Sequence, residues 1–367
     1  MSQLDKLVNE INKSWKEDIA SKGIKRIVCK KIPFSSPRLN YMLYGGLPRG
    51  RLIEFAGEEN GGKTTTALDV CKNAQKLFRD EWEEELSNNE TSPERKKYLE
   101  ARGPQKVVYA DCENTLDEDW ATTLGVDVDD MYILKPQTQS AEDIFQMLLE
   151  MIETDEVGLV IIDSLGVMLS QQAYDKEMSE KTYGGISMAL TLFSKKAVLL
   201  CKKTMCTLIG INQMRDDLNS PYGGRTTTGG KAWKHNCSLR LEFAKGDYFD
   251  ENGNRLNKTC ESPYGNKVLV AIKKTKVDKP DRKTGYYTLT YDIGIDDVVD
   301  LIEVGLKCGV IDKAGSWFTL VDVETGEVMT DEEGNILKFQ GQANLAAYIR
   351  DDDLLLDDLK QLIYEKM

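Results

Sequence analysis

The stretch Gly57-Glu58-Glu59-Asn60-Gly61-Gly62-Lys63-Thr64-Thr65 has the spacing G-x-x-x-x-G-K-T, and it constrains the chain more than any other segment. An apolar run, Leu52-Ile53-Glu54-Phe55-Ala56, precedes it, and a helix-like segment from Thr66 to Cys71 follows. Strand, glycine loop and helix make the context in which this pattern binds nucleotide. Glycines let backbone N–H groups curl around a polyphosphate, and the helix N-terminus adds positive potential. Lys63 is then placed to neutralise the β- and γ-phosphates, and the Thr64 hydroxyl to ligate Mg²⁺. A glycine-rich loop that merely contains Lys-Thr is the alternative, which the flanking strand and helix disfavour.

Composition narrows what the nucleotide serves. The 367 residues suffice for one large domain with small lobes. No apolar run reaches the length of a membrane span and no signal-peptide core opens the chain, so a cytosolic protein is expected. The eight cysteines include no C-x-x-C pair and His235 is the sole histidine, which argues against a zinc site and against histidine acid–base chemistry. A net charge of −13 argues against indiscriminate polyanion binding, though basic patches can sit on an acidic chain.

Along the chain, Leu4, Leu7, Ile11, Trp15 and Ile19 recur at helical spacing, and a β-like run from Ile24 to Ile32 follows. Such a segment can pack on its own core or on a neighbouring copy. A short helix and a glycine turn, Tyr44-Gly45-Gly46, lead towards the phosphate loop. Residues 80–103 are charged and read as a solvated helical insertion. Val107-Val108-Tyr109-Ala110 is a second buried strand, ending in Asp111-Cys112-Glu113. A carboxylate at the C-terminal end of a parallel strand points into the ligand crevice, so Glu113 is a candidate to polarise an attacking water, or a solvated strand-end acid. An amphipathic helix spans Ala141 to Glu153.

Leu159-Val160-Ile161-Ile162-Asp163 is a third buried strand with the Walker-B pattern, Asp163 holding Mg²⁺ through water. Residues 170–187 are polar and contain Tyr183-Gly184-Gly185; they read as a mobile loop. Thr207 to Gln213 is a fourth strand, and a long glycine-rich loop from Met214 to Gly230 follows it, with Arg215, Tyr222, Gly223, Arg225 and Thr226-Thr227-Thr228-Gly229-Gly230. Its Arg, Tyr and Gly content suits contact with single-stranded nucleic acid, with a plain surface loop as the alternative. Residues 237–245 and 267–276 alternate like paired strands, and Lys273-Lys274-Thr275-Lys276 is either solvated edge protection or a phosphate contact. Beyond Gly294, two amphipathic helices flank a Trp317-to-Phe339 hairpin, and a last helix runs from Leu354 to Met367.

These motifs, in this order, resemble the RecA family of ATP-dependent strand-exchange recombinases, from about Phe34 to Arg350 apart from the 80–103 insertion. Gly-Leu-Pro-Arg-Gly-Arg before the loop, Asp111 to Asp117, Asp163-Ser164, Asn212-Gln213 and Thr226 to Gly230 carry the resemblance. It implies an α/β fold: a RecA-type P-loop ATPase core (35–293) with a mostly parallel central sheet, an N-terminal helix–strand arm (1–34) that docks on the next protomer, and a small C-terminal α+β lobe (294–367).

The implied roles are ATP and Mg²⁺ as cofactors, bound by Gly57 to Thr65 and Asp163, with Glu113, Lys63 and Gln213 catalytic. Gln213 senses the γ-phosphate. Asp117 and Trp120 meet adenine, and Lys234, Lys274 and Lys276 reach the ATP of a neighbour. Tyr183, Gly184 and Gly185 fall in the first DNA loop. Met214, Arg215, Leu218, Tyr222, Gly223, Arg225, Thr226, Thr227, Thr228, Gly229 and Gly230 fall in the second, with Arg215 on phosphate and Leu218 wedged between base triplets. The implied partners are single-stranded DNA, homologous duplex DNA, further copies of the chain in a helical filament, a single-strand-binding protein and a loader.

Beyond the 80–103 insertion and the lack of a long acidic tail, the chain departs from the pattern in four places. Arg225 stands where bacterial members carry Glu, and His235 where they carry Phe. The phosphate loop interior, Glu58-Glu59-Asn60-Gly61, is unlike the usual serine-rich version, and the first DNA loop matches poorly. Such divergence fits a bacteriophage-encoded member acting in the host cytoplasm. A hexameric RecA-fold helicase and a nucleotide-dependent filament regulator that exchanges no strands are the rival readings.

Overall fold

The computed structural model describes residues 2–15, 20, 29–175, 185–216, 224–251, 253–322, 325–330 and 334–366. Two compact units emerge, residues 1–30 and residues 31–367.

In the first unit, α1 (Gln3–Trp15) is the amphipathic helix that the spacing predicts. Leu4 and Leu7 on its stripe are exposed. The Asn12 side-chain amide accepts from Ala20 N and donates to Ala20 O, each at 2.8 Å. The expected strand from Ile24 lies largely outside the described residues.

The second unit begins with β1 (Lys31–Ile32), which pairs with β2 (Leu47–Pro48) around α2 (Pro37–Met42). Gly45 and Gly46 turn the chain through φ values of +102° and +123°, where glycine escapes the Cβ penalty. Then comes β3 (Leu52–Gly57), buried along its whole length, and the phosphate loop. At Gly57 an added Cβ would lie 2.4 Å from the Phe243 carbonyl oxygen, so the loop can leave the strand here only without a side chain. Gly62, left-handed at φ +88°, caps α3 (Lys63–Ser87).

The charged insertion proves to be the outer half of α3 folded against α4 (Pro93–Arg102). Leu99 is buried between them, and Trp82 donates its indole N–H to the Leu99 carbonyl at 2.8 Å. The chain continues through β4 (Lys106–Asp111), α5 (Glu118–Thr123), β5 (Met131–Leu134), α6 (Ala141–Glu153) and β6 (Val157–Asp163). Next come α7 (Gln171–Tyr174), α8 (Ser187–Thr204), β7 (Thr207–Asp216), β8 (Arg225–Thr227) and α9 (Gly230–Asn236). The long strands β9 (Leu239–Phe249), β10 (Gly265–Thr275) and β11 (Thr284–Thr290) follow, with β12 (Gly294–Ile295) closing the run.

Among the described residues these build a ten-stranded sheet in the order β12-β11-β10-β9-β3-β7-β6-β4-β5, with β8 attached to β7. From β9 to β5 neighbouring strands are parallel, whereas β10, β11 and β12 are antiparallel additions. Helices cover both faces, as a parallel sheet requires. One face is filled by Leu68, Val70, Phe78 and their neighbours, the other by Phe145, Leu148, Phe193 and Trp233. The β3, β4 and β6 strands end close together, and β7 runs past them, at the edge where ligands bind in such sheets.

The C-terminal portion holds α10 (Asp297–Cys308), β13 (Ile311–Ala314), β14 (Trp317–Leu320), β15 (Lys338–Gln340), α11 (Gln342–Arg350) and α12 (Asp353–Glu365) around its own apolar cluster. The hairpin expected from Trp317 to Phe339 is present as β14 paired antiparallel with β15, and β13 adds a third strand on the other side of β14, which sequence reading missed. The expected long loop after Gln213 is corrected, because β7 runs on to Asp216 and pairs antiparallel with β8, Met214 opposite Thr227 and Asp216 opposite Arg225. Both stems of that loop are therefore strand.

Candidate nucleotide site and adjoining hairpin

The strand ends and the start of α3 bring five of the sequence candidates together. Thr64, in the first turn of α3, donates its hydroxyl to Asp163 Oδ2 at 2.9 Å. Tyr109 on β4 donates to the same oxygen at 2.8 Å. Glu113 stands just beyond β4, and its Oε1 accepts from Ser164 Oγ and from Gln213 Nε2, the latter at 3.4 Å. Lys63 donates to the Glu58 carbonyl inside the loop. The phosphate-loop lysine, the two acids and the amide thus come from β3–α3, β4, β6 and β7.

Burial sets the electrostatics. Asp163 is nearly inaccessible, and desolvation raises its carboxyl above the usual range, against the hydrogen bonds from Tyr109 and Thr64. Burial also pushes the Tyr109 hydroxyl well up, and the Cys112 thiol to about 12. Lys63 is lowered by desolvation, while the charges of Asp163 and Glu113 oppose that shift. One ammonium beside two carboxylates leaves the site net negative, so a polyanion needs a divalent cation with it there.

The residues suit the group that the loop pattern implies. Gly57 and Gly62 lie where a Cβ would strike Phe243 O or Val268, so backbone must line the cradle. The hydroxyl of Thr64 and the carboxylate of Asp163 form a small oxygen-donor pair of the kind Mg²⁺ uses beside phosphates.

A cleft of about 290 Å³ adjoins the loop, lined by Asn60, Gly62, Thr64, Lys245, Asn266 and Tyr291. Sequence reading missed the last three. Tyr291 follows β11 and donates to Asn266 Oδ1 at 2.8 Å. The aromatic at a strand end before the Gly294 turn is the one local signal that marks it. Asp117 caps α5 by accepting from Trp120 N at 2.9 Å, and Trp120 packs partly against the core.

The three lysines read as inter-protomer contacts gather at one place within the chain. Lys274 Nζ donates to the carbonyls of Lys234 and His235 at 2.7 and 2.8 Å, and Lys276 Nζ to that of His235 at 2.7 Å. They sit at the C-terminal end of α9, where cations favour the helix dipole. Lys234 Nζ in turn donates to Thr226 Oγ1.

The second candidate DNA loop is described at its two stems. Arg215 is exposed on β7 and donates to the Gly166 carbonyl at 3.1 Å. Thr227 is buried, with its hydroxyl on Glu54 Oε1 at 2.9 Å, so its side chain serves the base of the hairpin. Gly229 caps α9 in the left-handed region, where a Cβ would lie 2.3 Å from Leu190. Gly185 sits in an exposed turn before α8. Tyr183, Gly184, Leu218, Tyr222 and Gly223 lie outside the described residues.

Glu54, hidden in an apolar run, joins these parts. Its Oε1 accepts from Asn212 Nδ2, Thr227 Oγ1 and Trp233 Nε1 at 3.0, 2.9 and 3.1 Å, and its Oε2 accepts from Arg240 Nε. One buried carboxylate therefore binds the phosphate-loop strand to β7, β8, α9 and β9. Sequence offered one signal, a charge within a strand otherwise buried on both faces.

Comparison with known proteins agrees with this geometry. The model of the RecA N-terminal domain family matches residues 99–296, more than half of the chain. Protein RecA of a Nocardioides species is 30% identical over 339 residues, covering 92% of this chain and 82% of that protein. Protein RecA of Thermus aquaticus is 29% identical over 338 residues, covering 91% and 85%. Protein RecA of Clostridium beijerinckii is 28% identical over 323 residues, covering 88% and 76%.

Proposed function

The chain belongs to the RecA family, and on that premise we propose that it is an ATP-dependent recombinase, which forms a helical filament on single-stranded DNA and exchanges that strand with a homologous duplex. The observation that carries the reading is the contact between Glu113 and Gln213, because Gln213 lies on the strand that runs on into the hairpin with Arg215.

Lys63 and the loop amides hold the β- and γ-phosphates of ATP. Thr64 and Asp163 hold Mg²⁺, which when bound neutralises phosphate charge. Glu113 orients the attacking water and takes its proton, and Gln213 exchanges Glu113 for the γ-phosphate as its hydrogen-bond partner. Loss of that phosphate is then felt along β7 as a change in the hairpin, so DNA is bound more tightly in one nucleotide state than in the other.

Lys234, Lys274 and Lys276 serve the ATP of the adjoining protomer, and the N-terminal arm docks on it. Phosphate contacts by Arg215 and the hairpin supply affinity, while base pairing supplies sequence specificity. A single-strand-binding protein and a loader are the expected accessory partners, and the cytoplasm the expected place of action.

Electron microscopy with single-stranded DNA and a non-hydrolysable ATP analogue tests the assembly. A helical filament is expected; a closed ring would favour the helicase reading. Joint-molecule formation between a single strand and a homologous duplex then tests exchange, and filaments without joint molecules would leave the regulator.

A further inference from the structure

Two carboxylates of the phosphate-loop segment, four residues apart, grip the return strand of the hairpin. Glu54 holds Thr227, and Glu58 forms an ion pair with Arg225. Arg225 and Thr227 are two apart on β8 and so share a face. The two grips differ in kind. Glu54 and Thr227 are buried, whereas the Glu58 and Arg225 side chains are 61% and 58% exposed. The first is a fixed anchor. The second stands in solvent, inside the loop that a polyphosphate must enter, and can be exchanged.

We propose that Glu58 and Arg225 form a nucleotide-sensitive latch between the phosphate loop and the DNA hairpin. The pair fixes the return strand on the loop. A polyphosphate bound by the loop brings several negative charges beside Glu58 and outcompetes its carboxylate for the guanidinium, which phosphate oxygens bind well. Handed from Glu58 to the phosphate, Arg225 follows the nucleotide, and the return strand, still anchored at Thr227 and paired with β7, shifts to the arrangement that binds single-stranded DNA.

The sequence supports the pairing from both sides. Glu58 adds a negative charge to a loop that must receive anions, which is unfavourable unless something offsets it. Arg225 is the cation that does so, and across the hairpin it lies opposite Asp216, a second carboxylate that favours its retention there. Glu58 and Arg225 are also two of the places where the chain departs from the family pattern, and the latch gives both departures one physical cause.

The inference rests on the recombinase reading, and its test separates the two. The affinity of the full-length chain for a fluorescein-labelled oligo-dT is measured by anisotropy with and without the β,γ-imido analogue of ATP, and the ratio of the two affinities is the coupling. In Glu58→Gln the ratio falls about threefold, chiefly because binding without the analogue tightens, the scale that an exposed ion pair commands. Arg225→Gln lowers the ratio similarly, and the double variant lowers it no further than either single. Both side chains are exposed, so melting temperatures should match the wild type. A ratio unchanged or raised in Glu58→Gln, or losses that multiply in the double variant, overturns the latch alone. A wild-type affinity indifferent to the analogue overturns the recombinase reading and the latch with it.

Discussion

Gln213 Nε2 approaches Glu113 Oε1 to 3.4 Å, joining the strand end that carries the candidate base to the strand that leads into the hairpin. Ser164 donates to the same oxygen from the residue after Asp163. A carboxylate held by two donors is oriented, and orientation is what a group that must position a water requires.

If Glu113 is that group, Glu113→Gln lowers ATP turnover by at least about 100-fold, the usual contribution of a positioned base. The amide keeps the shape of the side chain, so DNA binding with ATP persists and resists reversal. Phosphate release and oligonucleotide anisotropy measure the two quantities separately. Wild-type turnover in this variant would sink the assignment.

The lysines at 274 and 276 now tie β10 to the end of α9. If they also complete a neighbour's site, Lys274→Ala and Glu113→Gln are each inactive alone but complement one another. Every interface that joins a protomer with intact Glu113 to one with intact Lys274 regains a working site. For equal, random mixing that is about a quarter of the interfaces in a head-to-tail assembly. Activity rising above both parents on mixing is expected. Activity equal to their average would argue that each site is complete within one chain.

The parts legible in the sequence are those whose chemistry fixes residue types at short spacing. The Gly57–Thr65 loop, and Asp163 and Gln213 each closing an apolar run, all announce themselves locally. Glu54 does not, because its four donors come from Asn212, Thr227, Trp233 and Arg240, brought near only by the order of strands in the sheet. Tyr291 and Lys245 escape for the same reason: they reach the loop across antiparallel strands whose pairing local periodicity leaves open. The stems at Met214–Asp216 and Arg225–Thr227 read as loop because each is short and glycines flank the second. They are strand because they pair with each other.

Arg240 offsets the one buried charge on β3, and its loss leaves the Glu54 carboxylate with neutral donors alone. Arg240→Ala should cost about 3 kcal/mol of stability, the lower end for breaking a buried pair. The midpoint of urea unfolding measures it. A midpoint within error of the wild type would show that the three neutral donors suffice.

The junction between the core and the C-terminal portion carries a pH dependence of its own. Asp300, in the first turn of α10, is fully buried, with Ser36 Oγ donating to Oδ2 and Thr288 Oγ1 lying 3.3 Å from Oδ1. Burial raises its carboxyl from the ordinary 3.8 to about 7, against the Ser36 hydrogen bond and the charge of Arg38. Because the shift is upward, the native chain keeps this proton over a range where the unfolded chain has released it. Stability from this group is therefore full below about pH 4 and declines as pH rises to about 7, with no further change above. Asp300→Asn keeps the shape and cannot ionise, so it should flatten that slope and narrow the gap between urea midpoints at about pH 5 and about pH 8. An undiminished gap in the variant would place the titration elsewhere.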